Sequence, residues 1–196
     1  MIRNSKTRIE DLRRTELIDA AHRVFMLHGL SGMTTARICA EAGRSPGILS
    51  YYFKGKDAVL FAMGRKNNRA LVEDVVHRLR QARTQKERLF AVIEGNFPAA
   101  YFHRNIANAW LSVCAASASR PDYARLQRVF YRRLASNIAS TLKGIVDPDR
   151  IPGITLSVGV QIVGLWLRKS IEPDLPRETA VRLVLDSVDC QIRAQE

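Results

Sequence analysis

Within residues 33–56 of this 196-residue chain, Thr34, Thr35, Ser45, Ser50 and Tyr51 supply hydroxyls and Arg37, Arg44, Lys54 and Lys56 supply cations. Such groups suit phosphate oxygens and base edges better than they suit bond-breaking chemistry. Their spacing predicts two short helices. Thr34 or Thr35 can cap the first, whose apolar positions Ala36, Ile38, Cys39, Ala40 and Ala42 are expected to pack inward, with Arg37 and Glu41 facing out. Gly43 ends it by supplying the left-handed conformation that a helix C-terminus often requires. Ser45 then caps a second helix, with Pro46 at its first position, running from about Pro46 to Phe53. In that helix Ile48, Leu49 and Phe53 (or Tyr52) can face the core, leaving Pro46, Gly47, Ser50 and Tyr51 on the other side.

This is the helix-turn-helix pattern, in which the second helix enters a major groove with its N-terminal residues foremost and the first crosses the backbone. Gly47 would permit close approach, and Ser50 and Tyr51 can bond phosphate or base edges. Lys56 is the strongest phosphate candidate, because it opens the next helix, where backbone N–H groups and the positive dipole end also favour an anion. The same pattern describes an ordinary αα corner, and these residues alone leave both readings open.

Leu17-Ile18-Asp19-Ala20-Ala21 with Phe25 and Gly29, then Thr34-Thr35, Ile38, Ala42-Gly43, Ser45-Pro46-Gly47, Tyr52-Phe53 and Lys56-Asp57, resembles the N-terminal domain of the tetracycline-repressor (TetR) family. The resemblance implies an all-α protein of about nine helices. A three-helix DNA-binding domain would occupy residues 1–55, and a helical ligand-binding and dimerisation domain residues 56–196. Expected DNA contacts are Thr34, Thr35, Arg37, Arg44, Ser45, Pro46, Gly47, Ser50, Tyr51, Tyr52 and Lys56, on a palindromic double-stranded operator.

A second group of residues gathers mid-chain: Glu94, Asn96, Phe97, Tyr101, Phe102, Trp110, Tyr123, Phe130, Tyr131 and later Trp166. Rings beside a carboxylate can hold a quaternary ammonium, and the same rings serve equally as core. Gly95-Asn96-Phe97, Ala109-Trp110-Leu111, Arg125-Leu126-Gln127, Arg132-Arg133-Leu134 with Ser136-Asn137, and Gly164-Leu165-Trp166-Leu167-Arg168 are similar to the C-terminal domain of BetI-type repressors. That resemblance implies control of choline-to-glycine-betaine genes and a response to choline. It places the effector near Glu94, Asn96, Phe97, Tyr101, Trp110, Tyr131 and Trp166. Cys114 stands where a second tryptophan is expected in that family, which opens the way to a related amine or an unrelated apolar ligand.

The elements that must position these groups are all helical by their apolar spacing. Leu17 to Phe25 marks a first helix ending at Gly29, preceded by a basic arm with Arg3, Lys6 and Arg8. A long helix from near Lys56 to Leu79 links the two domains, with Gly64 as its weak point and the helix itself as the lever of regulation. Thr84 to Glu87 forms a capping box, Asn105 can cap the following helix, and Pro121 with Asp122 starts another that runs to about Lys143. After a turn at residues 146–149, helices from about Ile154 to Ser170 and Pro176 to Arg193 close the chain. The first of these is apolar nearly all round and is expected to be covered on several sides, as a buried helix rather than a membrane span. The two together could form a two-fold homodimer interface that sets a pair of reading heads, or be interior helices of a monomer; the TetR resemblance implies the dimer.

Net charge of +12 favours a polyanionic partner. Cys39, Cys114 and Cys190 sit among apolar neighbours and read as structural thiols in a reducing cytoplasm. The four histidines show no metal spacing with them, and no cofactor is expected. No phosphate loop, nucleophile elbow, zinc helix or paired acid constellation appears, so the sequence does not read as an enzyme. A basic helical module for acidic proteins or membranes is the alternative from another class.

Overall fold

The computed structural model describes residues 5–194, in which nine α-helices and no strand occur. They are α1 (Ser5–Gly32), α2 (Thr35–Glu41), α3 (Pro46–Tyr52), α4 (Lys56–Gln81), α5 (Gln85–Gly95), α6 (Arg104–Ala116), α7 (Pro121–Leu142), α8 (Ile151–Ile171) and α9 (Arg177–Arg193). The chain forms two compact units that meet between Asn67 and Asn68, inside α4. The boundary expected at residue 55 coincides with the start of that helix; the first unit extends further because Val59, Leu60, Ala62 and Met63 are buried.

In the first unit α1 packs on α2 and α2 on α3. Leu17, Ala20, Ala21, Val24 and Phe25 form the buried face of α1, joined in the unit's core by Met33, Ile38, Leu49 and Phe53. Residues 5–16 continue α1 rather than forming an arm, since the stretch is rich in helix formers and holds neither glycine nor proline. Lys6 and Arg8 therefore belong to a helix, and Arg3 lies outside the described residues. The helix breaks at Gly29, where the backbone leaves the helical region. Gly64 sits within unbroken helix.

The second unit is built around α8. α6, α7 and α9 all pack on it, and α5 packs on α7 and α9. Val92, Ile93, Phe97, Ile138, Leu142, Val158, Ile162, Val184 and Val188 lie at the centre of one core cluster. At Gly95 a Cβ would lie 2.6 Å from Val75 Cγ2, so glycine lets α5 take its place beside Val75 of α4 without displacing that side chain.

The Thr84 box forms as expected, with Glu87 N–H donating to Thr84 Oγ1 at 3.1 Å and Thr84 N–H to Glu87 Oε2 at 3.2 Å. Thr84→Ala should therefore cost about 1 kcal/mol, read by urea denaturation, and Thr84→Ser should keep most of it. Asn105 is not the cap of α6; that position is His103, and Asn105 falls in the first turn. Cys39 is buried and Cys114 half-buried, but Cys190 is exposed on the outer side of α9, against expectation.

α8 also departs from expectation. Pro148–Ile171 is apolar and long enough, by length and composition, to cross a membrane, yet the chain covers it on one side only. Ile154, Val158 and Ile162 face the core, while Leu156, Val160, Leu167 and Ile171 are exposed.

Candidate nucleic-acid interface and effector region

The turn between α2 and α3 is closed by backbone and tied to its neighbours by side chains. Gly43, with φ +62°, turns the chain so that its N–H reaches Ala40 O at 3.0 Å while Arg44 N–H reaches Cys39 O at 2.8 Å. This pair of bonds is the Schellman closure, which satisfies the last carbonyls of α2 and starts α3 within two residues. Thr34 caps α2 as expected, accepting from Arg37 N–H at 3.2 Å. Ser45 occupies the N-cap of α3 but its hydroxyl makes no cap bond, which leaves it on the surface. The Cys39 thiol reaches Pro46 O at 3.7 Å and ties the first turn of α3 to α2.

α3 buries Leu49 and half-buries Ile48 and Tyr52, and Phe53 just beyond it is buried. Pro46, Gly47, Ser50 and Tyr51 are exposed, Tyr51 at 72% with its ring edge-on to Tyr52. A Cβ at Gly47 would meet open space, so nothing in the fold demands glycine there. Ala36 and Ala40, expected inside, are exposed: α2 has one narrow buried stripe, through Ile38 and Cys39.

The basic residues divide. Arg37 donates to Gly32 O at 2.9 Å, and Arg44 donates to Glu16 at 3.0 Å, so both serve the fold as well as the surface. Arg23 pairs with Glu41, and Lys66 with Asp19. Thr34, Thr35 and Lys54 are exposed, and Lys56 is half-buried at the first position of α4. Thr34, Thr35, Arg37, Ser45 and the outer face of α3 thus belong to one contiguous helix-turn-helix.

Several of the effector candidates already have partners within the chain. Glu94 was expected to face a ligand cation, but its oxygens accept from Arg78 at 2.7 Å and Arg177 at 2.8 Å, so two guanidinium groups already neutralise it. Asn96 is buried, its side-chain amide donating to Val92 O and its own carbonyl accepting from the Trp166 indole at 3.0 Å. Phe97 is fully buried, edge-on to Phe102 at 5.4 Å and stacked with Trp166 at 6.5 Å. A cation of the chain's own stands against these rings: Lys169 Nζ lies 5.0 Å from the Phe102 centroid and donates to the carbonyls of Pro173 and Leu175.

Tyr131 lies on α7 and meets Cys114 of α6. Gln127 donates to Cys114 Sγ at 3.1 Å, and the Tyr131 hydroxyl adjoins the same thiol. Burial pushes the Cys114 thiol up, and burial with the neighbouring thiol pushes Tyr131 up to about 12, so both keep their protons at neutral pH. Such a thiol is a poor nucleophile. Trp110, one helical turn before Cys114, is half-buried on the same face of α6. Tyr101 is half-buried in the turn before α6. Arg78 and Arg177 escape a reading of the sequence because helix-periodic patterns say nothing of a partner 16 or 83 residues away.

Residues 17–63 match the family described as bacterial regulatory proteins, tetR family, and residues 85–193 match the BetI-type transcriptional repressor, C-terminal. The chain is 37% identical to the HTH-type transcriptional regulator BetI of Brucella canis, covering 97% of this chain and 96% of the relative. The protein of the same name from Cronobacter sakazakii is 37% identical over 85% of this chain and 83% of its own. Among solved structures, a transcriptional regulator from Saccharomonospora viridis in complex with choline superposes with a TM-score of 0.76 at 21% identity, covering 92% of this chain and 95% of that one.

Proposed function

The chain belongs to the TetR family of bacterial regulatory proteins, with a BetI-type C-terminal domain, and on that footing we propose that the exposed face of α3 reads an operator major groove. The family is one of transcriptional regulators, not enzymes. What carries the reading is the outer face of α3: a glycine the fold does not need, beside two exposed hydroxyl side chains at Ser50 and Tyr51, on a helix held at its start by backbone closure. Tyr51 offers both a hydroxyl and a ring face to base edges, and Lys56 at the start of α4 anchors a phosphate.

Two substitutions separate these roles on DNA that the chain enriches from a random pool. Tyr51→Ala should weaken binding by about tenfold to a hundredfold and relax base choice, the size of one lost base contact. Lys56→Ala should weaken all duplexes alike and lower the salt slope by about one. If both variants keep wild-type binding, α3 is not the reading helix.

The second unit senses a small molecule, and choline or a related amine is the effector class that the BetI-type domain and the gathered rings support. Its ligand would lower operator affinity only by as much as it binds the two conformational states differently. The engagement of Glu94 by two arginines favours a second form of this reading, in which the ligand is apolar or its cation is held by rings alone. Titrating choline and betaine aldehyde while following operator release decides between them; no response at millimolar concentration removes the amine. The protein acts in the cytoplasm as a homodimer, with α8 and α9 as the interface and two reading heads on a palindromic site.

A further inference from the structure

α3 has seven residues and spans roughly 10 Å, too short to hold its own conformation without outside support. Side chains from one short stretch of α1 supply that support at both ends. At the start, the Glu16 carboxylate accepts from Arg44 at 3.0 Å, and Arg44 is the residue whose backbone closes α2. At the finish, the Arg14 guanidinium lies 4.7 Å from the centroid of Phe53, the buried residue that ends α3. Glu16 also takes both bonds of Arg13, at 2.9 and 3.2 Å, so one carboxylate offsets two guanidinium charges. Arg44 Nε is buried with no hydrogen-bond partner, so part of this cation is desolvated, and the bond to Glu16 compensates.

We propose that Glu16 is a positioning residue for DNA recognition: it locks the α2–α3 turn to α1 through Arg44 and restrains Arg13 and Arg44 from sequence-blind attraction to phosphate. The inference rests on the reading that the first unit binds DNA. Glu16 and Arg44 are both partly exposed, so their pairing adds little to global stability. Its consequence is for discrimination. Removing the carboxylate frees the turn, which weakens the fit to one sequence, and uncovers two positive charges, which strengthens attraction to any sequence.

The experiment compares full-length wild type, Glu16→Gln, Arg44→Ala and the double variant on the enriched operator and on a scrambled duplex of equal length, across a salt series. Glu16→Gln should lose about fivefold on the operator, the upper end for such a pair, while binding the scrambled duplex more tightly and with a steeper salt slope. Its melting midpoint should move by no more than about 4 °C. In the Arg44→Ala background, Glu16→Gln should cost the operator nothing further. An operator-to-scrambled ratio kept within about twofold of wild type overturns the proposal, as does a parallel fall on both duplexes. A wild-type chain that enriches no sequence defeats the DNA reading itself, and this inference with it.

Discussion

A chain carrying Leu156→Glu and Val160→Glu sediments as a monomer at micromolar concentration and loses more than about a hundredfold in operator affinity. Leu156, Val160, Leu167 and Ile171 are 69%, 61%, 46% and 65% exposed, and at 100° per residue they fall within about 60° of one another on α8. Ile154, Val158, Ile162 and Lys169 occupy the opposite side and are buried. A helix with an apolar stripe on its outer face as well as its inner one needs a second cover, and Leu183 on α9, 52% exposed, adds to the same need. A two-fold axis beside this stripe would bury it against its own copy. Two glutamates there would be desolvated without partners, each costing several kcal/mol. Loss of the pair then removes one of two half-site contacts, which is where the affinity falls. If the double variant stays dimeric, the stripe is not the interface; if it is monomeric and binds as before, the operator is read by a single head.

The second large effect concerns Phe97. Its ring is fully buried against Phe102 and Trp166, and Phe97→Ala should lower unfolding free energy by about 3–5 kcal/mol, a fall in melting temperature on the order of 10 °C. Trp166 emission reports the change directly, since its indole is bonded to the carbonyl of Asn96 next door. Tyr51→Ala, at an exposed site, should leave stability within about 0.5 kcal/mol and serves as the control. The outcome separates two roles for the same ring. A Phe97→Ala chain of near-native stability that fails to respond to effector would make Phe97 a ligand contact instead of a core residue.

Much of the first unit is legible in the sequence because it is written locally. Thr34, Gly43, Ser45 and Pro46 mark helix ends through their own backbone preferences, and all four fall where expected. The same holds for the capping box at Thr84. Local marks mislead where they compete: Asn105 is a better cap type than His103, yet the helix begins one residue before Asn105. Charge marks Lys6 and Arg8 as part of a basic arm, but the helix formers of residues 5–16 place them in α1. The effector region is least legible. Glu94 reads as an anion awaiting a cation, and only the packing of α4 and α9 on either side of it brings Arg78 and Arg177 within reach. Likewise, an all-apolar α8 reveals its need for cover but not which stripe the chain itself supplies.

The fold asks nothing of Pro46, Gly47, Ser50 and Tyr51 beyond a helix start, since all four residues are exposed, away from its core. Mutations there are therefore nearly free of folding cost, so a gene duplicate could drift to a new operator while the rest of the chain stays under unchanged selection. Libraries at Gly47, Ser50 and Tyr51 are accordingly the shortest route to a redirected switch.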